Sequence, residues 1–166
     1  MATIKARVIK PKKLNEAAMR RELGNELTAI AKEVNTDFDK TTKTWKHKPV
    51  WVQTVKTGDR KAEFAVLTDD EIYGYVDRGT KPHIIRPKRA SRLAFGVGGS
   101  PKTTPRVIGS TGGSRGAAMV YSLGVQHPGT KAREFEKTLA TTWRKLFGPR
   151  MKTAMLRAAA KSGHGK

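Results

Sequence analysis

The tripeptide Gly-Thr-Lys occurs twice, as Gly79-Thr80-Lys81 and as Gly129-Thr130-Lys131, each time with a Pro and a His close by. The first copy reads Asp77-Arg-Gly-Thr-Lys-Pro82-His83 and the second His127-Pro128-Gly-Thr-Lys-Ala-Arg133. Proline holds φ near one value and glycine takes backbone angles that a β-carbon forbids, so both stretches are chain corners. Regular elements must start and stop around them. The alternating run Ala117 to Val125 predicts a strand before the second corner. After it, Phe135, Leu139, Trp143 and Leu146 step by four, four and three, which predicts a helix. That helix is expected from Ala132 to about Lys161, with the Thr130 hydroxyl as its cap. Gly148-Pro149 is expected to interrupt it, since Pro fits the first turn of a new helix better than the middle of an old one. The sequence leaves open whether the two corners, and with them His83 and His127, meet in space.

An earlier helix is predicted from Leu14 to about Lys40, where Met19, Leu23, Leu27, Ile30, Val34 and Phe38 form one apolar stripe. Its other face carries charge, including the like-charged pair Glu22 and Glu26, which the N-terminal half of a helix dipole tolerates. Thr41 to Lys48 reads as a polar linker. Pro49 to Lys56 and Ala62 to Leu67 alternate and flank the turn Thr57-Gly-Asp-Arg60, so they read as a hairpin. Apolar groups on both faces of the first arm suggest a central strand. Trp45 and Trp51 read as core anchors. Asp69 to Val76 is a short helix or a strand. His83 to Ile85 and Arg92 to Val97 read as strands. Residues 96–116 hold seven glycines, two prolines and three serines, the composition of a flexible loop or hairpin arm between Arg92–Val97 and Ala117–Val125. The fold class expected is α+β: a small antiparallel sheet packed by a long N-terminal and a long C-terminal helix. A single domain is expected over residues 14–161, behind a basic arm at 1–13 that is either a strand for a partner's sheet edge or disordered, and ahead of a frayed end at 162–166.

Charge narrows the function classes. The chain of 166 residues carries 34 Lys and Arg against 14 Asp and Glu, a net charge of +20. Such a field attracts polyanions and repels further copies unless it is locally offset. Residues 81–116 contain eight basic side chains and no acid: Lys81, Arg86, Lys88, Arg89, Arg92, Lys102, Arg106 and Arg115. These are the candidate contacts to a polyanion or to an acidic partner surface. The segment 49–80 is instead net acidic and holds Asp69-Asp70-Glu71, a candidate interface patch that a neighbouring subunit's basic arm would suit.

Catalytic patterns are sparse. There is no cysteine, which excludes disulfides, thiol nucleophiles and Cys-based zinc sites. The four histidines are scattered, and turn histidines bonded to backbone groups are the simpler reading of His83 and His127. Gly96-Val-Gly-Gly-Ser100 lacks the helix opening of a phosphate loop. No serine stands on a strand-to-helix elbow. No catalytic residue, metal or cofactor is expected. No apolar run approaches a membrane span and the N-terminal residues lack the apolar core of a signal peptide.

The corner His127-Pro-Gly-Thr-Lys-Ala-Arg133, with Tyr73-Gly-Tyr-Val-Asp-Arg-Gly-Thr80 before it and a C-terminal helix after it, resembles the neck or tail-completion proteins of long-tailed bacteriophages, the class of the lambda-like minor tail protein Z. The resemblance spans Leu14 to Phe147 in layout, and its specific residues are Gly79, Thr80, His127, Pro128, Gly129 and Thr130. The family often has a Pro where this chain has Glu134. The resemblance implies a virion structural protein assembled in the host bacterial cytoplasm, not an enzyme. It implies a homo-oligomeric ring at the head–tail junction, with head–tail connector proteins on one side and tail tube or tail terminator proteins on the other. DNA in the channel is a further implied partner. A tail terminator or head–tail joining ring protein is the near alternative. A basic nucleic-acid-binding protein is the alternative from another class, although no aromatic stacking platform or nucleic-acid motif is present.

Overall fold

The computed structural model describes residues 13–58 and 61–164. The expected N-terminal arm up to residue 12, Asp59-Arg60 of the expected turn, and residues 165–166 lie outside the described residues.

Helix α1 runs from Glu16 to Thr41. The Asn15 side chain accepts from the Ala18 amide at 3.0 Å and satisfies one of the amides that a helix start leaves unpaired. At the other end the Lys48 ammonium donates to the carbonyls of Thr42 (2.5 Å) and Lys43 (2.8 Å), a cation where the helix dipole is negative. Leu27, Ile30, Val34 and Phe38 of the apolar stripe are buried, while Met19 and Leu23 are half-buried.

Strands β1 (Val52–Thr57) and β2 (Ala62–Leu67) form an antiparallel hairpin in which Val55 faces Phe64. Phe64 and Val66 pack toward the core. The expectation of a central strand is corrected here. Among the described residues β1 pairs with β2 alone, and its second apolar face is turned outward, with Val52 and Leu67 opposite one another at 55% and 58% exposure. Apolar side chains on both faces marked a strand without a third neighbour among the described residues, not a sheet interior.

Asp70 to Arg78 settles as a helix, α2 (Glu71–Arg78), with the Asp70 carboxylate accepting from the Tyr73 amide at 2.7 Å. Tyr73 lies at the centre of the aromatic core. Trp51 stacks on Phe38 with ring centroids 4.6 Å apart and meets Tyr73 edge-on at 4.9 Å. Trp45 packs on the same tyrosine, so both tryptophans are core anchors as their positions suggested. Burial, with Asp77 and Glu136 nearby, pushes the Tyr73 hydroxyl far above its ordinary pKa.

Four short strands follow: β3 (His83–Ile85), β4 (Leu93–Val97), β5 (Ala118–Ser122) and β6 (Val125–His127). The run Ala117–Val125 is therefore two strands. β5 pairs with β4 and β6 with β3, because Ser122 bonds back on Gly124 through its hydroxyl and turns the chain between them.

Helix α3 spans Phe135 to Ala159 without a break at Pro149. The expected interruption is absent because the residues around Pro149 are held to α1. Arg150 donates to Glu26 and to Glu33, each at 2.7 Å, and Ala154 and Ala158 are fully buried, small enough to let a neighbouring helix approach closely. Phe135, Leu139 and Trp143 complete the core with α1. Beyond α3, Ala160 to His164 form a wider turn closed by Gly163 at φ 79°, and the Ser162 hydroxyl accepts from the Asn15 amide at 3.2 Å. The end expected to fray is tied to the start of α1 as far as residue 164.

The chain is thus α+β, with two long helices packed on small antiparallel sheets.

Candidate functional site

The two Gly-Thr corners pair with each other. The Thr80 amide donates to the Thr130 carbonyl at 2.9 Å, and the Thr130 amide donates to the Thr80 carbonyl at 3.1 Å and to the Thr80 hydroxyl at 2.9 Å. Three residues along, the same antiparallel register pairs His83 with His127. Between these two points Pro82 falls opposite Pro128, and neither has an amide hydrogen, so the ladder is interrupted there. The glycines make the approach possible. A β-carbon on Gly79 would stand 2.5 Å from the Thr130 carbonyl oxygen, and one on Gly129 would overlap the Thr80 carbonyl oxygen. Both glycines have positive φ, 77° and 86°. The two histidine rings lie 5.1 Å apart, and each is also bonded to backbone. His83 Nδ1 contacts the Lys81 carbonyl at 2.8 Å, and the Gly129 amide donates to His127 Nδ1 at 3.0 Å.

Thr130 does not cap α3, because the helix begins only at Phe135, with Glu134 at its cap position, while the Thr130 backbone is paired with Thr80. The cap comes from the other corner. The Asp77 carboxylate, 7% exposed, accepts from the amides of Phe135 (2.6 Å) and Glu136 (3.2 Å). The Asp77 carbonyl accepts from the amides of Arg133 and Glu134, both at 3.0 Å. The C-terminal end of α2 thereby holds the N-terminal end of α3.

The glycine-rich stretch between β4 and β5 is a hairpin docked on that junction rather than a detached arm. Ser100 and Ser114 exchange backbone bonds beyond the strands. Deeper in the loop, Arg133 donates through Nε to the buried Thr103 hydroxyl at 3.1 Å, and the Arg106 amide donates to the Arg133 carbonyl at 2.8 Å. Arg106 and Glu134 are the two non-glycine residues with positive φ among those described, 63° and 55°, and their side chains form an ion pair at 2.5 Å. Bonding to Arg106 holds the Glu134 carboxyl below its ordinary range. Arg106 is accordingly a hairpin anchor and leaves the set of basic side chains available to a partner. The other seven (Lys81, Arg86, Lys88, Arg89, Arg92, Lys102 and Arg115) are exposed and have no carboxylate partner among the described residues.

The acidic triplet divides in the same way. Asp70 caps α2 and pairs with His47, and the Tyr73 amide and His47 lower its pKa. Asp69 and Glu71 stay exposed and unpaired. They border a cleft of about 370 Å³ whose lining also includes Leu67, Tyr73, Asp77 and Glu136.

The largest feature that sequence reasoning missed is the charged seam between the long helices. Glu22 and Glu26 do not sit on a solvated face: Glu22 is 6% exposed and pairs with Lys161 and Arg157, and Glu26 pairs with Arg150 (2.7 Å) and Arg157 (2.6 Å). The Lys161 hydrogen bond lowers the Glu22 pKa. Burial alone would raise the Glu26 carboxyl, and the bonds from Arg157 and Arg150 outweigh it and leave it lowered. The spacing Arg150, Arg157, Lys161 was the one sign of a basic stripe complementary to Glu22, Glu26 and Glu33.

Among the described residues, no three His, Asp or Glu side chains are grouped to hold a metal ion, and no helix is long and apolar enough to cross a membrane. No family model matches the chain, and neither a curated protein nor a solved structure does so.

Proposed function

We propose that this chain is a virion structural protein, one subunit of an oligomeric ring at the head–tail junction of a tailed bacteriophage, and that it acts by assembly rather than catalysis. One observation carries the reading. All six strands are used up in three separate two-stranded ribbons, with no third strand on any of them among the described residues. A two-stranded ribbon is marginal alone, and open strand edges invite pairing with another chain. All three ribbons also present large apolar side chains to solvent: Val52 and Leu67 on the first, Ile84 on the second, Met119 and Tyr121 on the third. These are features of a subunit whose sheets are completed by neighbours. The resemblance of both Gly-Thr corners to phage neck and tail-completion proteins supports the place of that assembly, and head–tail connector and tail tube or terminator proteins are the partners that follow. The test is genetic and visual: particles made without this chain should accumulate heads and tails that are not joined, and supplying it should join them. Normal particles without it would refute the reading.

A second reading, a nucleic-acid-binding protein, is favoured by the seven unpaired basic side chains between Lys81 and Arg115. It requires tight duplex binding that falls steeply as salt rises.

A further inference from the structure

We infer that the exposed face of α2 in one copy docks on the β4–β5 hairpin of a second copy, head to tail. This rests on the ring reading above and names the two surfaces that meet. Each is an apolar patch bordered by charge, and the charges are opposite. On the hairpin, register places Met119 opposite Gly96 and Tyr121 opposite Ala94. Leu93 and Phe95 of β4 are half-buried, so the face with Met119 and Tyr121 is the outer one, at 57% and 65% exposure. Two large apolar groups therefore stand over two small residues. Basic side chains bracket the strands, with Arg89 and Arg92 before β4 and Lys102 and Arg115 toward the tip. On α2, Ile72 and Tyr75 are about half exposed and stand three residues apart on one face. Asp69 and Glu71 lie at the start of that helix, and Glu136 joins them around the adjoining cleft, where Arg78 is the one basic side chain. None of these three carboxylates has a cationic partner among the described residues.

The same chain thus carries a surface on which carboxylates outnumber the single Arg78 guanidinium, and a basic surface without an acid. Within one copy the hairpin is pinned to the start of α3 by Thr103 and Arg106, so its outer face is held available to another molecule. Pairing unlike surfaces generates a head-to-tail contact, which closes into a ring or extends as a filament according to the angle. It also places acid against base at each joint, which lessens the mutual repulsion of copies that each carry +20. A nucleic-acid backbone would use the basic residues but gives no role to Met119, Tyr121, Ile72 or Tyr75, and for that reason the second copy is the favoured occupant.

The experiment uses two full-length variants. Variant A carries Asp69→Lys and Glu71→Lys, and variant B carries Arg92→Glu and Arg115→Glu. All four positions are exposed, and unchanged melting temperatures check that each variant folds; Asp69→Asn with Glu71→Gln replaces variant A if the added lysines destabilise α2. Native mass spectrometry should show that each variant alone loses the species above monomer that the wild type forms. Mixed, they should assemble again past the dimer, because A's hairpin meets B's α2 as in the wild type and A's lysines meet B's glutamates with the charges exchanged. Variants that assemble like the wild type, or a mixture that stays monomeric, overturn the inference. In the first case the ring reading survives with different surfaces. A wild type that is monomeric at every concentration and instead binds duplex DNA through Arg92 and Arg115 overturns both.

Discussion

Asp77 is the residue on which most of the junction depends. It is buried, it ends α2, and its carboxylate is the only side-chain cap that α3 has, since Glu134 at the cap position has left-handed backbone and makes no side-chain cap bond. Asp77→Ala removes an acceptor from two buried amides and should cost about 2 kcal/mol. For a chain of this size that lowers Tm by roughly 4–8 °C, which a calorimetric scan would resolve; a drop under one degree would mean that water or Glu134 takes over the cap. Gly129 makes the complementary demand. Alanine there would have to adopt φ near 86° and overlap the Thr80 carbonyl, so Gly129→Ala should cost at least about 2 kcal/mol and separate the corners. Chemical shifts at Thr80 and His83 would report that separation. Both corners were visible as repeated residues, but their pairing was not, because fifty residues of chain come between them and no local pattern encodes which corner meets which. Thr130 looked like a cap because the helix was expected to begin at Ala132, whereas it begins at Phe135 and takes its cap from the distant Asp77.

At the scale of elements, the helices were readable from periodicity and their contact was not. The apolar stripe of α1 located its core face correctly, yet the buried carboxylate of Glu22 and the half-buried one of Glu26 sit beside that stripe, where polar residues normally mark solvent. Their burial is tolerated because α3 brings Arg150, Arg157 and Lys161 to meet them, and the same seam keeps α3 continuous across Pro149. Each carboxyl has a folded pKa below its unfolded one. Its contribution to stability is therefore complete above the ordinary carboxylate range, about pH 4.3, and is lost as pH falls through the lowered folded values. A Glu22→Gln, Glu26→Gln variant should be less stable at neutral pH and lose less stability than the wild type on acidification. Parallel curves for the two proteins would show that the seam titrates elsewhere. The β4–β5 hairpin makes the opposite lesson. Its glycine content suggested a free arm, while its anchors are single residues, Thr103 and Arg106, that composition does not reveal. Thr103→Val keeps the shape but leaves the buried Arg133 Nε without its acceptor. It should cost about 1–3 kcal/mol and increase amide exchange across residues 99–113; exchange confined to the tip would show that Arg106 alone holds the loop.

Across the whole molecule, the aromatic core of Phe38, Trp51, Tyr73, Phe135 and Trp143 joins the long helices to α2 and one ribbon, while apolar side chains of all three ribbons and of α2 are left uncovered. If the core is shared with other chains, the exposed pairs Val52–Leu67 and Met119–Tyr121 are where that sharing would occur. The segregation of charge follows the same plan, with acid around α2 and base along the hairpin. The most direct test is the mass of the wild-type chain in solution, by native mass spectrometry and sedimentation, with and without excess duplex DNA at two salt concentrations. A subunit that completes its sheets with other copies should form a discrete closed oligomer, in multiples of the 18.3 kDa chain, with little DNA bound at physiological salt. A monomer at every concentration that saturates on DNA with a fixed site size, and releases it as salt rises, would contradict the account.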